Sequence, residues 1–229
     1  MPAKKLPNIN FKWTPELAYA VGLIVTDGCL SNDGRHIYFR SSEKNLVETY
    51  KKCMNVKNKI AKTFNNGFSK KVSYRIGHGG VQLHHWLMGI GITPAKTYTI
   101  GKIAIPQKFF RDFLRGHLDG DGYIQRYVDK YNVYKGKRYI AQRLYARFIS
   151  ASQIHILWLY KMITKCLPLK GALLVKKPFT ENRVPIYEIK FAKKDSLSLL
   201  RWMYYRDDLP CLKRKRKVAC QALKELSFN

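Results

Sequence analysis

Leu17 to Val25 is an unbroken run of apolar residues and glycine, entered through Thr14-Pro15-Glu16 and left through Thr26-Asp27-Gly28. Threonine as a cap with proline in the first turn is a helix start. The pattern then changes period. Ser31-Asn32-Asp33-Gly34 reads as a tight turn between two strands, the second being His36 to Arg40, and a helix is predicted from about Ser42 to Met54. A second strand pair spans about Ile60 to Ile76 around Asn65-Asn66-Gly67, and an apolar helix from Val81 to Ile90 closes at Gly91-Ile92-Thr93-Pro94. The series then begins again. Ile103 to Lys108 leads into a helix ending in Asp119-Gly120-Asp121-Gly122, followed by a longer hairpin from Tyr123 to Ile149 and a helix from about Ser152 to Cys166. Strands near Leu173 to Lys176 and Pro185 to Phe191 and a helix from Ser196 to Tyr204 complete the second series.

The repeat has a register. Asp27 aligns with Asp121 at an offset of 94, Phe39 with Phe148 at 109, and Trp86 with Trp202 and Pro94 with Pro210 at 116. The first change of offset places an insertion near Asp129 to Arg138, in a loop, where a duplicated unit tolerates one.

Both copies of the apolar helix end in Asp-Gly, where glycine is the usual residue for leaving a helix in a left-handed conformation. Small residues recur every fourth position, at Ala18, Gly22 and Thr26 and again at Gly116 and Gly120. That spacing lies on one helix face and allows close backbone approach. Packed along those faces, the helices would bring Asp27 and Asp121 together, and two carboxylates in one place are a seat for hard divalent cations. The plainer alternative is two core helices with solvated turn aspartates. A calcium loop of the EF-hand type is excluded, because its glycine position holds Ile124 and its twelfth position Lys130.

Charge narrows the partners. Forty-three Lys and Arg against fifteen Asp and Glu give a formal net charge of +28, while 46% hydrophobic residues suffice for a core. The basic residues are spread through the chain among aromatics, as in Lys70-Lys71-Val72-Ser73-Tyr74-Arg75, and no basic amphipathic helix or lipidation signal stands apart, so nucleic acid is favoured over a membrane surface. The longest apolar run is too short to span a bilayer, and Met1 to Lys5 precede no apolar signal core, so an intracellular protein is expected, in a prokaryotic cytoplasm or an organelle. Five cysteines without a CxxC pair suggest reduced thiols rather than a zinc or disulfide framework.

Gly22-Leu23-Ile24-Val25-Thr26-Asp27-Gly28 and Leu114-Arg115-Gly116-His117-Leu118-Asp119-Gly120-Asp121-Gly122 resemble the two signature helices of single-chain LAGLIDADG homing endonucleases. Ile105-Pro106 before the second motif, Trp86-Leu87 before Gly91-Ile92, and Lys213-Arg214-Lys215 near the end fit as well, so the resemblance covers about residues 12 to 217. It implies an α+β fold of two pseudo-symmetric αββαββα repeats, residues 1–102 and 103–229, each with a curved antiparallel DNA-binding sheet, joined through the packed signature helices. It further implies a monomer with internal pseudo-two-fold symmetry that hydrolyses one phosphodiester on each strand of double-stranded DNA, leaving short 3′ overhangs. Asp27 and Asp121 would be the catalytic acids, and Asp27, Asp121, Gly28 and Gly122 would hold the metal. Mg²⁺ would be the cofactor, Mn²⁺ a substitute, and Ca²⁺ an ion that supports binding without cleavage.

The pattern departs from the family at Val25 and Thr26, which leave Asp27 as the first motif's only carboxylate. Arg40 stands nearest the position of an assisting glutamine or lysine, its repeat partner Ile149 cannot assist, and Gln125 and Lys190 are alternatives. DNA reading is expected from strand residues facing away from the core. Candidates in the first half are Asn32, Arg35, Tyr38, Arg40, Lys70, Ser73 and Arg75. Those in the second are Gln125, Arg126, Tyr127, Arg143, Tyr145, Arg147 and Lys176. The run Lys213 to Lys217 reads as phosphate contact in preference to a nuclear address, and His84-His85 as half core and half surface. A maturase binding intron RNA and a DNA-binding regulator on the same fold are the competing functions.

Overall fold

Thr14 opens the first helix as its sequence predicts, with its hydroxyl oxygen accepting from the Leu17 N–H at 3.1 Å. The structure, a computed structural model, describes residues 11–64, 72–178, 180 and 184–225. The first series is α1 (Pro15–Asp27), β1 (Gly28–Leu30), β2 (His36–Ser41), α2 (Lys44–Cys53), β3 (Ala61–Phe64), β4 (Val72–Gly79) and α3 (Val81–Gly89). A 3-10 turn at Gln107–Phe109 feeds α4 (Phe110–Gly120), followed by β5 (Tyr123–Tyr134), β6 (Lys137–Ser150), α5 (Gln153–Cys166), β7 (Gly171–Lys176), β8 (Ile186–Phe191), α6 (Lys193–Met203) and α7 (Lys213–Glu225). The fold is α+β. The turn at Asn65-Asn66-Gly67 lies outside the described residues.

The strands form two four-stranded antiparallel sheets of matching order, β1-β2-β4-β3 and β5-β6-β8-β7. Ile37, Phe39 and Ile76 in the first sheet and Leu144, Ala146, Phe148, Ile189 and Phe191 in the second point into one continuous core under the helices. The residues between them face the other way. The insertion falls in the second hairpin, where β5 and β6 run 12 and 14 residues against 3 and 6 for β1 and β2. Its tip is Lys135-Gly136, both at positive φ, as a two-residue hairpin turn requires.

α1 and α4 pack where the small residues predict. A methyl on Gly22 would lie 2.2 Å from the Phe113 carbonyl oxygen, and one on Gly116 would lie 2.1 Å from that of Tyr19. Buried Arg115 fastens α4 to the C-terminal region, donating to the carbonyls of Met203 and Pro210 at 2.8 and 2.9 Å and to Asp112 at 2.8 Å.

Two expectations are corrected. Gly28 and Gly122 do not leave their helices left-handed: Gly28 is extended at φ −86°, and the positive-φ glycines among the described residues are Gly34, Gly91 and Gly136. What both glycines supply is room, since a methyl would come within 2.5 Å of the Ile24 Cα at Gly28 and 2.8 Å of the Leu118 Cα at Gly122. The second series also does not end at Tyr204. The basic run at Lys213 opens α7, which packs against α6 and β5.

Candidate functional site

The two acids sit where the signature helices leave the crossing. Gly120 is the close point: a Cβ there would meet the Thr26 hydroxyl at 1.9 Å and the Asp27 carboxylate at 2.9 Å, so the Asp27 side chain lies directly against the end of α4. Burial, then the neighbouring Asp121, pushes the Asp27 carboxyl up to about 6, while Lys215, Thr26 and Lys96 pull it back. Asp121 is raised too, by desolvation in the cleft and against the pull of Lys96 and Lys215. Asp119 serves another purpose. It is buried, accepts from the Tyr19 hydroxyl at 2.8 Å and the Leu212 N–H at 2.7 Å, and ties α4 to α1 and to the entry of α7.

Sequence reasoning missed two lysines. Lys96 is 6% exposed and donates through Nζ to the Gly28 carbonyl at 2.5 Å. Lys215 is 5% exposed and donates to the carbonyls of Leu118, Asp119 and Gly122 at 2.7, 2.8 and 2.6 Å. Each therefore binds the negative end of one signature helix and places a cation beside the acids. Burial lowers both lysines, Lys215 to about 8. The carbonyls of Gly28 and Gly122, expected at the metal, accept from these ammonium groups. Helical spacing decides which lysine of the 213–217 run does this: Lys213, Arg214 and Lys217 are exposed, whereas Lys215 turns inward. The phosphate-contact reading therefore does not hold for Lys215. The repeat could not reveal the pair, because Lys96 lies two residues after Pro94 and Lys215 five after Pro210.

The donor set suits a hard divalent cation. Two carboxylates held together with raised proton affinity gain from an added positive charge, and Mg²⁺ ordinarily takes one or two protein carboxylates plus water and phosphate oxygens. Among the described residues no group of three His, Cys, Asp or Glu side chains converges as a complete metal cage. His84 is core, with its Nε2 paired to the Ser31 carbonyl at 2.8 Å.

The helix-free sheet faces carry most of the remaining candidates. On the first sheet Tyr38, Arg40, Ser73 and Arg75 share the outward face; the Arg75 guanidinium lies 3.9 Å over the Tyr38 ring, and Arg40 donates to Ser73 at 2.8 Å. Ser73 itself is buried under Arg40 and Thr63. Asn32 and Arg35 are exposed at the β1–β2 turn, and Lys70 lies outside the described residues. On the second sheet Gln125, Tyr127, Arg143, Tyr145, Arg147, Lys176 and Lys190 face outward. Arg126 does not. Successive strand residues alternate faces, so Arg126 lies on the side of Ile124, in a groove against Val218 and Gln221 of α7.

The second face is internally paired. Arg147 donates to Glu188 at 2.7 Å and to Gln125 at 2.8 Å, Lys176 pairs with Glu188 at 2.5 Å, and the Lys190 ammonium lies 4.1 Å over the Tyr145 ring. Gln125 and Lys190, expected to assist the chemistry, make no hydrogen bond to Asp27 or Asp121 among the described residues. Glu188, fully buried at the centre of this face, was missed because a strand glutamate gives no sign of its partners.

No helix among the described residues is long and apolar enough to cross a membrane. No protein-family model and no curated protein matches the sequence. Solved structures do share the fold. The I-LtrWI LAGLIDADG homing endonuclease bound to target DNA is similar at a TM-score of 0.57 and 11% identity, over 94% of this chain and 91% of that one. I-DmoI in complex with DNA and Ca gives 0.55 and 15%, over 89% and 96%. Full-length DUF199/WhiA from Thermatoga maritima gives 0.54 and 14%, over 95% of this chain but 63% of that one, so the chain spans about two thirds of WhiA's length. The chain thus has the two-repeat LAGLIDADG fold.

Proposed function

We propose that the chain is a LAGLIDADG-family endonuclease that binds double-stranded DNA and makes a sequence-specific, metal-dependent double-strand cut with short 3′ overhangs. One observation carries the reading: Asp27 and Asp121 lie within each other's electrostatic reach beside two buried lysines, at the end of a helix pair flanked by two sheets with basic, aromatic outward faces. Homing endonucleases of this fold have been solved bound to DNA, one of them with Ca and with Mn, which supports a DNA partner and a divalent ion here.

In this reading the repeats meet near residue 102, and each sheet lies along one half of the target. Tyr38, Arg40 and Arg75 on one side and Tyr127, Arg143 and Tyr145 on the other contact bases and phosphates. Asp27 and Asp121 hold Mg²⁺ or Mn²⁺. A bound ion supplies water activation and charge neutralisation at the phosphate. Lys96 and Lys215 fix the helix ends on which the acids stand and keep positive charge beside a dianionic site. Hydrolysis places the water oxygen on phosphorus, breaks the P–O bond to the leaving oxygen and returns a proton to that oxygen.

A DNA-binding protein that does not cut is the second reading, favoured by the occurrence of this fold in WhiA, which is not named an endonuclease. Capture of a randomised duplex library in Ca²⁺, followed by a switch to Mg²⁺, separates the two. The nuclease reading expects discrete 3′-overhanging ends at one long motif from wild type, and retained binding without ends from Asp27→Asn and Asp121→Asn. A library bound and never cut overturns it and directs attention to a regulatory role or to intron RNA.

A further inference from the structure

Among the positions where the cores of the two repeats differ, one pair lies beside the candidate site. Leu23 and Leu46 are buried apolar residues in the first half, and the register of the repeat aligns them with His117 and His155 in the second. The two imidazoles are each 1% exposed and stack with ring centroids 5.3 Å apart and planes 19° from parallel. Burial lowers the proton affinity of both, so both are neutral.

Their polar atoms are not used up by the protein. His155 Nδ1 lies 2.7 Å from the Gly101 carbonyl, which can only accept, so the proton is on Nδ1 and Nε2 carries a bare lone pair. That Nε2 is buried without a hydrogen-bond partner, as is His117 Nδ1. An unpaired buried polar atom costs on the order of 1–3 kcal/mol, which two leucines at these positions would avoid. Both rings line a cavity of about 170 Å³ whose wall includes Asp121, Thr97, Ser150 and Ile149. At roughly 30 Å³ per water it has room for several, and its lining has the polar atoms that ordered water needs. Ile149 is the position whose repeat partner is Arg40, so a histidine-lined cavity stands on the second sheet's side where the first sheet has a basic strand residue.

We propose that His117 and His155 are positioning residues for water, their unpaired nitrogens anchoring a short chain of ordered waters that reaches Asp121 and supplies the cut made in that half. The structural part, a water chain, stands on the cavity and the orphaned nitrogens. The catalytic part rests on the endonuclease reading. A high-resolution diffraction study of the wild-type protein tests the first: solvent density within hydrogen-bond distance of His155 Nε2 is expected, and a dry cavity overturns the proposal. Strand-resolved cleavage tests the second. The double variant His117→Leu, His155→Leu copies the other half's core; it should bind target in Ca²⁺ as wild type does but accumulate duplex nicked always in the same strand, the second cut slowed about tenfold. His155→Gln, which restores an acceptor near Nε2, should recover part of that cut. Wild-type strand ratios in the double variant overturn the catalytic role. Ordered water in a wild-type protein that cuts neither strand retires the endonuclease reading, and the catalytic role with it, while the water chain stands.

Discussion

Gly22 and Gly116 face each other across the helix pair so closely that a Cβ on Gly22 would lie 3.0 Å from the Gly116 Cα, and one on Gly116 would lie 3.2 Å from the Gly22 Cα. The nearer obstacles are backbone atoms, a carbonyl oxygen nearest on each side, which cannot swing aside as side chains do. Gly116→Ala therefore forces the helices apart and separates Asp27 from the end of α4. Loss of about 3 kcal/mol in chemical denaturation is expected, with cleavage falling further than binding. A variant of wild-type stability would show that the helices do not pack at this distance.

Asp27 makes stability depend on pH in a direction opposite to most carboxylates. Its carboxyl is raised from 3.8 to about 6, so the fold holds the proton more tightly than the unfolded chain, and ionisation costs stability as pH rises through this window. Asp27→Asn should match wild type near pH 3 and be more stable by up to about 3 kcal/mol at pH 7, from a shift of about two units. Millimolar Mg²⁺ should close the gap by stabilising wild type alone. Paired thermal melts at each pH, with and without the ion, measure both effects.

Lys215→Met strips the donor from the carbonyls of Leu118, Asp119 and Gly122 and removes a cation that lowers Asp27, Asp119 and Asp121. The melting midpoint should fall by the equivalent of about 1–3 kcal/mol. The acid limb of the cleavage pH profile should move to higher pH. Lys213→Met, on the exposed side of the same helix, should leave both unchanged.

Arg143 and Arg126 are two strand residues of one charge on opposite faces. Arg143→Ala should weaken DNA binding and reduce the slope of log affinity against log salt by about 0.9 for a lost phosphate contact. Arg126→Ala, against α7, should leave that slope unchanged. Titrations at three or more salt concentrations decide it, and equal losses would put the DNA on the wrong face.

The features visible in the chain were those set by local pattern or by repetition. The apolar run with Gly22, the Asp-Gly endings and the drifting offset between copies located the crossing helices and the insertion in the long hairpin. The period-two rule would also have removed Arg126, since Gln125, Arg126 and Tyr127 cannot share a face. Features that depend on a distant partner stayed hidden. Nothing within Lys213 to Lys217 ranks Lys215 above its neighbours until α7 turns it toward carbonyls almost a hundred residues away. Glu188 acquires its meaning from Arg147 and Lys176, and the two glycines from the volume around them rather than from their own dihedrals.

The long chain between α1 and α4 makes the meeting of the two acids an intramolecular event. Dilution does not separate them, and a substitution made beside one acid is not copied beside the other, as it would be in an assembly of identical subunits. A histidine pair in one core and a leucine pair in the other, or a hairpin long on one side and short on the other, can therefore arise singly. Under the endonuclease reading, such a chain is free to recognise a target whose two halves differ.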